Sequence, residues 1–145
     1  MPGFIHMIIG PMFAGKTSEL IRRVKVAGFV RKKVLLVKHS NDTRWSSTNT
    51  VMTHSGISLQ TTITASHLKQ VVAIIDNAEG VYDVVAVDEG QFFPDLLVEA
   101  ESLANRGLEI LIAGLDSNFL NHPHSRCFHQ MVDLVARYFI RLFST

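Results

Sequence analysis

GPMFAGKT, residues 10–17, lies between a short apolar run, Phe4 to Ile9, and a segment whose apolar residues recur with helical spacing. A glycine-containing loop that ends in Gly-Lys-Thr between a strand and a helix is typical of a phosphate-binding P-loop. Backbone N–H groups of such a loop surround the phosphates, which requires conformations and close approaches that glycine permits at positions 10 and 15. The stretch therefore predicts a nucleotide-binding domain.

The candidate nucleotide-binding residues are those of the loop itself: Gly10, Pro11, Met12, Phe13, Ala14, Gly15, Lys16 and Thr17. Lys16 would place a positive charge beside the β- and γ-phosphates, and Thr17 would offer its hydroxyl to Mg²⁺. The positive end of the following helix would face the same phosphates. A chance match in a glycine-containing turn is the alternative, and the strand-loop-helix context argues against it.

The composition indicates one domain of balanced charge. The chain has 145 residues, and its 14 Lys and Arg against 13 Asp and Glu point to neither a nucleic-acid nor a membrane-surface partner. The single cysteine, Cys127, excludes an internal disulfide and a cysteine-rich zinc site. The apolar runs are far shorter than a membrane span, and Met1 to Ile9 lacks a basic flank. We therefore expect a soluble cytoplasmic protein.

Apolar runs and amphipathic segments alternate along the chain. The runs at Val34 to Val37, Val84 to Val87 and Leu108 to Ala113 are typical of strands covered on both faces. Asn41 to Thr53 is rich in Ser, Thr and Asn and is predicted to be a loop. The apolar end of the chain at 139–143 either pairs at a sheet edge or is exposed.

Capping signals give the helices between these runs. The first helix is predicted to end at Gly28, and Ser66 is predicted to cap the second. The third has Pro94 in its first turn and Gly107 at the position of a left-handed cap. This alternation predicts a three-layer α/β domain with a mainly parallel sheet flanked by helices.

Two adjacent carboxylates, Asp88 and Glu89, follow the run Val84 to Val87. Ligands of open parallel sheets collect at the carboxyl ends of the strands, so both residues are expected beside the phosphates. Because neighbouring residues of a strand point opposite ways, we expect Asp88 to face Mg²⁺ and Glu89 to face the acceptor group as a general base. A capping Asp followed by a solvated Glu is the alternative.

Five segments resemble the type II thymidine kinases, the group that includes the cytosolic enzyme. They are GPMFAGKT at 10–17, KHSNDTRWSS at 38–47, Thr53-His54, DEGQFFPD at 88–95, and Leu115-Asp116 with Phe119. The resemblance covers nearly the whole chain in order. It implies a RecA-like P-loop fold, transfer of the γ-phosphate of ATP to the 5′-hydroxyl of thymidine with Mg²⁺, and a homotetramer.

The resemblance also implies roles for individual residues. Lys16 and Thr17 correspond to phosphate and Mg²⁺ ligands, Asp88 to the acidic Mg²⁺ partner, and Glu89 to the base that takes the 5′-hydroxyl proton. Gln91 matches a polar residue near the transferring phosphate, and Arg44 matches a basic residue over the site. The positions that surround the thymine are Met12, Phe92, Leu115 and Phe119, for each of which plain core packing is the alternative.

The chain also departs from the family pattern. Family members continue beyond the equivalent of Thr145 into a segment with two pairs of zinc-binding cysteines and a loop that closes over the nucleoside. We expect residues 1–145 to be one nucleoside kinase core domain without that zinc subdomain, and hence no zinc. A site without the closing loop would be open and poorly discriminating. His122, His124, Cys127 and His129 follow no established zinc spacing.

Three functions remain open at this stage. The first is a thymidine kinase, and the second is an impaired relative that binds ATP or joins a tetramer without turnover. The third is a P-loop ATPase that couples hydrolysis to motion, whose sensor residues and arginine fingers are not identifiable in one sequence. Phosphate release without thymidine separates the third from the first.

Overall fold

The computed structural model describes residues 3–10, 15–40, 60–78, 80–115 and 140–142. Within these ranges, six strands and three helices follow one another as β1 (Phe4–Gly10), α1 (Lys16–Phe29), β2 (Val34–His39), β3 (Gln60–Ala65), α2 (Leu68–Ala78), β4 (Val84–Val87), α3 (Leu96–Asn105), β5 (Glu109–Leu115) and β6 (Ile140–Leu142). A short 3₁₀ turn, Gly90–Phe92, lies between β4 and α3.

The strands form one sheet in the order β3-β2-β4-β5-β1-β6, and every pairing is parallel. Strand β5 therefore lies between β1, which leads into the P-loop, and β4, which leads into the two carboxylates. Because all strands run the same way, their carboxyl ends meet at one edge of the sheet. The α/β, RecA-like P-loop fold predicted from the sequence is confirmed.

Helices cover both faces of this sheet. Residues of β4 alternate between the two cores, with Val84 and Ala86 on the α1 face and Val85 and Val87 on the face of α2 and α3. Burial on both faces explains why these strands are continuous apolar runs in the sequence. Among the described residues, no helix is both long and apolar enough to cross a membrane.

Two edge strands differ in how the sequence shows them. The sequence does not predict β3, because this strand has no apolar run. β3 lies at the edge of the sheet beside β2, where threonines are tolerated: Thr62 is buried, whereas Thr64 is exposed. β6 pairs in parallel with β1, with Met7 opposite Ile140 and Ile9 opposite Leu142. Of the two alternatives for the chain end, the structure thus shows pairing at the sheet edge.

The helix ends confirm one capping prediction and shift two others. Gly107 has a φ of 89°, and the N–H groups of Gly107 and Leu108 bond back to the carbonyls of Ala104 and Leu103, as in a Schellman cap. Helix α1 runs one residue past Gly28, and the left-handed residue beyond it is Arg31. Pro94 lies just before α3 rather than in its first turn.

The prediction that Ser66 caps α2 is wrong. The first two N–H groups of α2, those of Leu68 and Lys69, donate to the carboxylate of Asp95 at 2.8 and 3.0 Å. The Ser66 hydroxyl instead lies 3.0 Å from Nδ1 of His67. Asp95 is the N-cap residue of α3, yet its side chain makes no capping bond to α3 itself. One carboxylate therefore ties the start of α2 to the start of α3.

Replacing Asp95 with alanine is expected to lower the free energy of unfolding by about 1–2 kcal/mol, because two helix N–H groups lose their acceptor. Chemical denaturation of Asp95→Ala, Asp95→Asn and Ser66→Ala measures the effect. Asp95→Asn keeps one acceptor oxygen and should lose less. A larger loss in Ser66→Ala than in Asp95→Ala would contradict this account of the cap.

Candidate functional site

The P-loop lies at the carboxyl end of β1. Gly10 is the last residue of that strand and pairs with Leu115 of β5. Its backbone is therefore extended, and it does not use the left-handed conformation that glycine permits. Gly15 has a φ of 84° and is the N-cap of α1. A Cβ at Gly15 would meet nothing within 4 Å, so backbone conformation rather than space requires glycine there. Residues 11–14, with the predicted ligands Pro11, Met12, Phe13 and Ala14, lie outside the described residues.

Helix α1 begins at Lys16, which is only 7% exposed, and Thr17 follows in the same first turn. Two further residues of the helix, Arg22 and Arg23, bond to the carboxylate of Glu19. Hydrogen bonding from Arg22 is the main reason that the pKa of Glu19 falls to about 2, with a smaller contribution from Arg23. Glu19 thus stays ionised with two cations against it, which limits the repulsion that its charge would exert on a bound phosphate.

The side chains of Thr17 and Asp88 are in contact at the carboxyl edge of the sheet, although 71 positions separate them in the sequence. The Thr17 hydroxyl donates to both carboxylate oxygens of Asp88, at 3.1 and 3.2 Å, and the Glu89 N–H donates to Oδ1 at 3.0 Å. Asp88 is 1% exposed, so these bonds offset part of the cost of burying its charge. The structure therefore joins the P-loop threonine to the acidic end of β4.

Glu89 has a φ of 53°, in the left-handed region that costs a non-glycine residue about 1–2 kcal/mol. The sequence predicts that the alternation of an extended strand separates Asp88 from Glu89. The structure separates them differently, because the chain turns sharply at Glu89 and enters the 3₁₀ turn. Backbone strain of this kind is concentrated at functional sites.

Gln91 and Phe92 belong to the same turn. The Gln91 side-chain amide donates to the Glu89 carboxylate, and Gln91 is 5% exposed. The Phe92 ring is partly exposed, while the next ring, Phe93, is fully buried in the core. The turn thus contains two predicted site residues, Gln91 and Phe92, and the third, Glu89, directly precedes it. It packs against β5, the strand next to β4 in the sheet.

The remaining predicted positions are Leu115, at the end of β5, and three that lie outside the described residues. Leu115 ends β5 and pairs with Gly10, which places its backbone beside the last residue of β1. Arg44 and Phe119 lie outside the described residues, as do Met12 and the histidine-rich stretch that contains Cys127. Their roles stay predictions.

The end of β2 adds two buried polar residues for which the sequence predicts no individual role, although both belong to the family-like segment at 38–47. Lys38 and His39 are each 6% exposed. The Asp88 N–H donates to the carbonyl of Val37, the residue before Lys38, so the hydrogen bonds between β2 and β4 extend to this end of the sheet. By strand alternation, Lys38 shares the α1 face with Leu36, and His39 shares the opposite face with Val37. The available signal was their position directly after the apolar run Val34 to Val37, at the carboxyl end of a predicted strand.

The oxygen atoms of Thr17 and Asp88 fit Mg²⁺, which prefers hard oxygen ligands and binds through one or two side chains plus phosphates and water. No group of three or more His, Cys, Asp or Glu side chains within the described ranges is arranged to hold a metal ion.

Comparisons with known proteins agree with this geometry. The chain matches the family model described as "Thymidine kinase" over residues 3–138. It is 43% identical over 138 residues to "Thymidine kinase 1" of Dictyostelium discoideum, covering 93% of this chain and 57% of that protein. It is 42% identical over 123 residues to the "Thymidine kinase" of rabbit fibroma virus, covering 85% and 65%.

A bacterial relative, the "Thymidine kinase" of Mycoplasma mobile, is 39% identical over 122 residues, covering 83% of this chain and 58% of that protein. The chain thus spans about three-fifths of the length of these curated relatives. The family match, however, extends over nearly the whole chain. The chain therefore belongs to the thymidine kinase family.

Proposed function

We propose that this protein is a thymidine kinase that transfers the γ-phosphoryl group of ATP to the 5′-hydroxyl of thymidine, giving thymidine monophosphate and ADP. The observation that carries the proposal is the hydrogen bond between Thr17 and Asp88, next to which Glu89 holds a strained, left-handed backbone conformation. Family membership and the similarity to proteins named thymidine kinase support the choice of nucleoside.

The chemistry follows from the position of each group. The 5′-hydroxyl oxygen forms a bond to the γ-phosphorus while its proton passes to the Glu89 carboxylate. The bond from the γ-phosphorus to the β–γ bridging oxygen breaks, and ADP leaves with that oxygen. Gln91 donates to the Glu89 carboxylate and so fixes the direction from which the base approaches the hydroxyl.

The phosphates are held at the start of α1. Lys16 and the N-terminal N–H groups of the helix present positive charge to them. Thr17 and Asp88 would hold Mg²⁺, which neutralises developing negative charge on the phosphates when bound. We propose that Arg44, in the segment that the sequence predicts to be a loop, adds to this charge stabilisation.

The nucleoside would lie on the side of the site formed by Phe92 and the end of β5. An apolar slot made of Met12, Phe92, Leu115 and Phe119 suits a flat base with a 5-methyl group. Assembly as a homotetramer is proposed on the family resemblance alone. Because a single cysteine fits a reducing compartment, we place the enzyme in the cytoplasm.

Release of ADP from Mg-ATP tests this function when it is measured with thymidine, with 5′-deoxythymidine and with no nucleoside. We expect ADP only with thymidine, because 5′-deoxythymidine has the same base but no hydroxyl to accept the phosphoryl group. ADP release at the same rate in all three mixtures would identify an ATPase and contradict the proposal. Binding of ATP and thymidine without any ADP release would identify an impaired relative and contradict it too.

A further inference from the structure

The imidazole of His39 contacts two aromatic rings at the end of the strained turn, those of Phe92 and Phe93. Its ring centroid lies 5.5 Å from that of Phe92, tilted by 41°, and 4.9 Å from that of Phe93, edge to face at 84°. His39 is 6% exposed, and it comes from β2, whereas both phenylalanines come from the segment after β4. The histidine thus links two neighbouring strand ends at the edge of the sheet where the site lies.

The backbone around His39 is held from both sides. His39 pairs with Ala65 of β3, and the next N–H, that of Ser40, donates to the Ala65 carbonyl at 3.0 Å. On the other side, the Asp88 N–H donates to the Val37 carbonyl at 3.0 Å. A side chain on such a ladder has little freedom to move, so its ring is a fixed support for whatever packs on it.

The turn that His39 supports carries the predicted base and a predicted wall of the nucleoside pocket. Inside the turn, the Phe92 N–H bonds to the Glu89 carbonyl and the Phe93 N–H bonds to the Gly90 carbonyl, each at 3.1 Å. Glu89 holds a left-handed conformation that persists only if its surroundings enforce it. Phe93 anchors the turn in the core, and Phe92 remains partly exposed at the site.

We propose that His39 is a positioning residue for the nucleoside: its ring fixes the Phe92 ring and, through the turn, the direction of Glu89. This inference rests on the proposed function. The affinity for thymidine should depend on His39 while the affinity for ATP should not. Lys16 and Thr17 begin α1, which packs on the face of the sheet opposite His39, and Thr17 bonds to Asp88. Misplacement of a reacting group by about 1 Å can cost up to about 100-fold in rate.

His39→Ala tests the proposal by steady-state kinetics and by equilibrium binding of ATP. We expect the KM for thymidine to rise about 10-fold and kcat to fall, with the Kd for ATP within about twofold of the wild type. His39→Phe restores a ring and should recover most of the lost kcat/KM. His6→Ala is the matched control, because His6 is a partly buried histidine that contacts a ring, Phe4 at 4.7 Å, within β1 and away from the turn.

Amide hydrogen exchange gives a readout that does not need activity. The Phe92 and Phe93 amides should exchange about 10-fold faster in His39→Ala than in the wild type, and those of β1 should not change. In one outcome, the wild type neither binds nor phosphorylates thymidine, yet these amides still exchange faster in His39→Ala. That result would contradict the proposed function and support the role of His39 in holding the turn.

Unchanged exchange and an unchanged KM for thymidine would overturn the inference. Equal loss of ATP and thymidine affinity with a lowered Tm would also overturn it, because His39 would then be merely structural. If His39→Ala does not fold, His39→Leu fills the space without an aromatic ring. Wild-type kinetics in that variant would show that the ring is not required.

Discussion

Glu89→Gln is expected to slow phosphoryl transfer to thymidine by about 10²- to 10⁴-fold, the usual contribution of a general base. The amide keeps the size and hydrogen-bonding oxygen of the carboxylate, yet it cannot take the 5′-hydroxyl proton. Affinity for ATP should stay within about twofold, because the groups that we propose to hold the phosphates are Lys16 and the start of α1. Single-turnover kinetics and equilibrium binding of a fluorescent ATP analogue measure the two quantities.

Glu99→Gln is the matched control for this change, since it makes the same substitution in the first turn of α3. It should leave both transfer and ATP binding unchanged. Wild-type turnover in Glu89→Gln would remove Glu89 from the role of base. A parallel loss of ATP affinity would instead place Glu89 among the phosphate ligands.

Lys16→Ala is expected to weaken ATP binding and transfer together, with kcat/KM for ATP lowered by about 10²- to 10³-fold. On the proposed function, the positive charge of Lys16 faces the phosphates in both the bound state and the transition state, so both ATP affinity and the rate of transfer should fall. Isothermal titration with Mg-ATP and steady-state kinetics over a range of ATP concentrations measure the effect.

Lys25→Ala removes the same charge from an exposed position on the same helix and should change neither quantity. Lys16→Met separates charge from packing, because it keeps the stem of a side chain that is 7% exposed. Tight ATP binding in both Lys16 variants would contradict the assignment of the loop as a P-loop.

The fold was predictable because its signals are local. Strands buried on both faces, such as Val84–Val87, appear as uninterrupted apolar runs, and Gly107 marks a left-handed helix end. The cap of α2 was not predictable, because its acceptor is Asp95, 27 positions from Leu68 in the sequence. β3 was missed for a related reason: as an edge strand it carries threonines where a central strand carries aliphatic residues.

The candidate site divides in the same way. The P-loop pattern and the acidic end of β4 identify Thr17 and Asp88, and the topology of a parallel sheet brings their ends to one edge. The left-handed conformation of Glu89 has no local signal, since the sequence places a glutamate where glycine would be favoured. His39 was equally hidden, because its contacts with Phe92 and Phe93 join residues more than 50 positions apart.

The most direct test of the central claim follows the γ-phosphate itself. The protein is incubated with Mg-ATP labelled in the γ-phosphoryl group and with thymidine, and the products are separated and identified by mass. We expect the label in thymidine 5′-monophosphate, in an amount equal to the ADP formed. Label that appears only in inorganic phosphate, or that remains in ATP while both ligands bind, would contradict the account of this protein as a thymidine kinase.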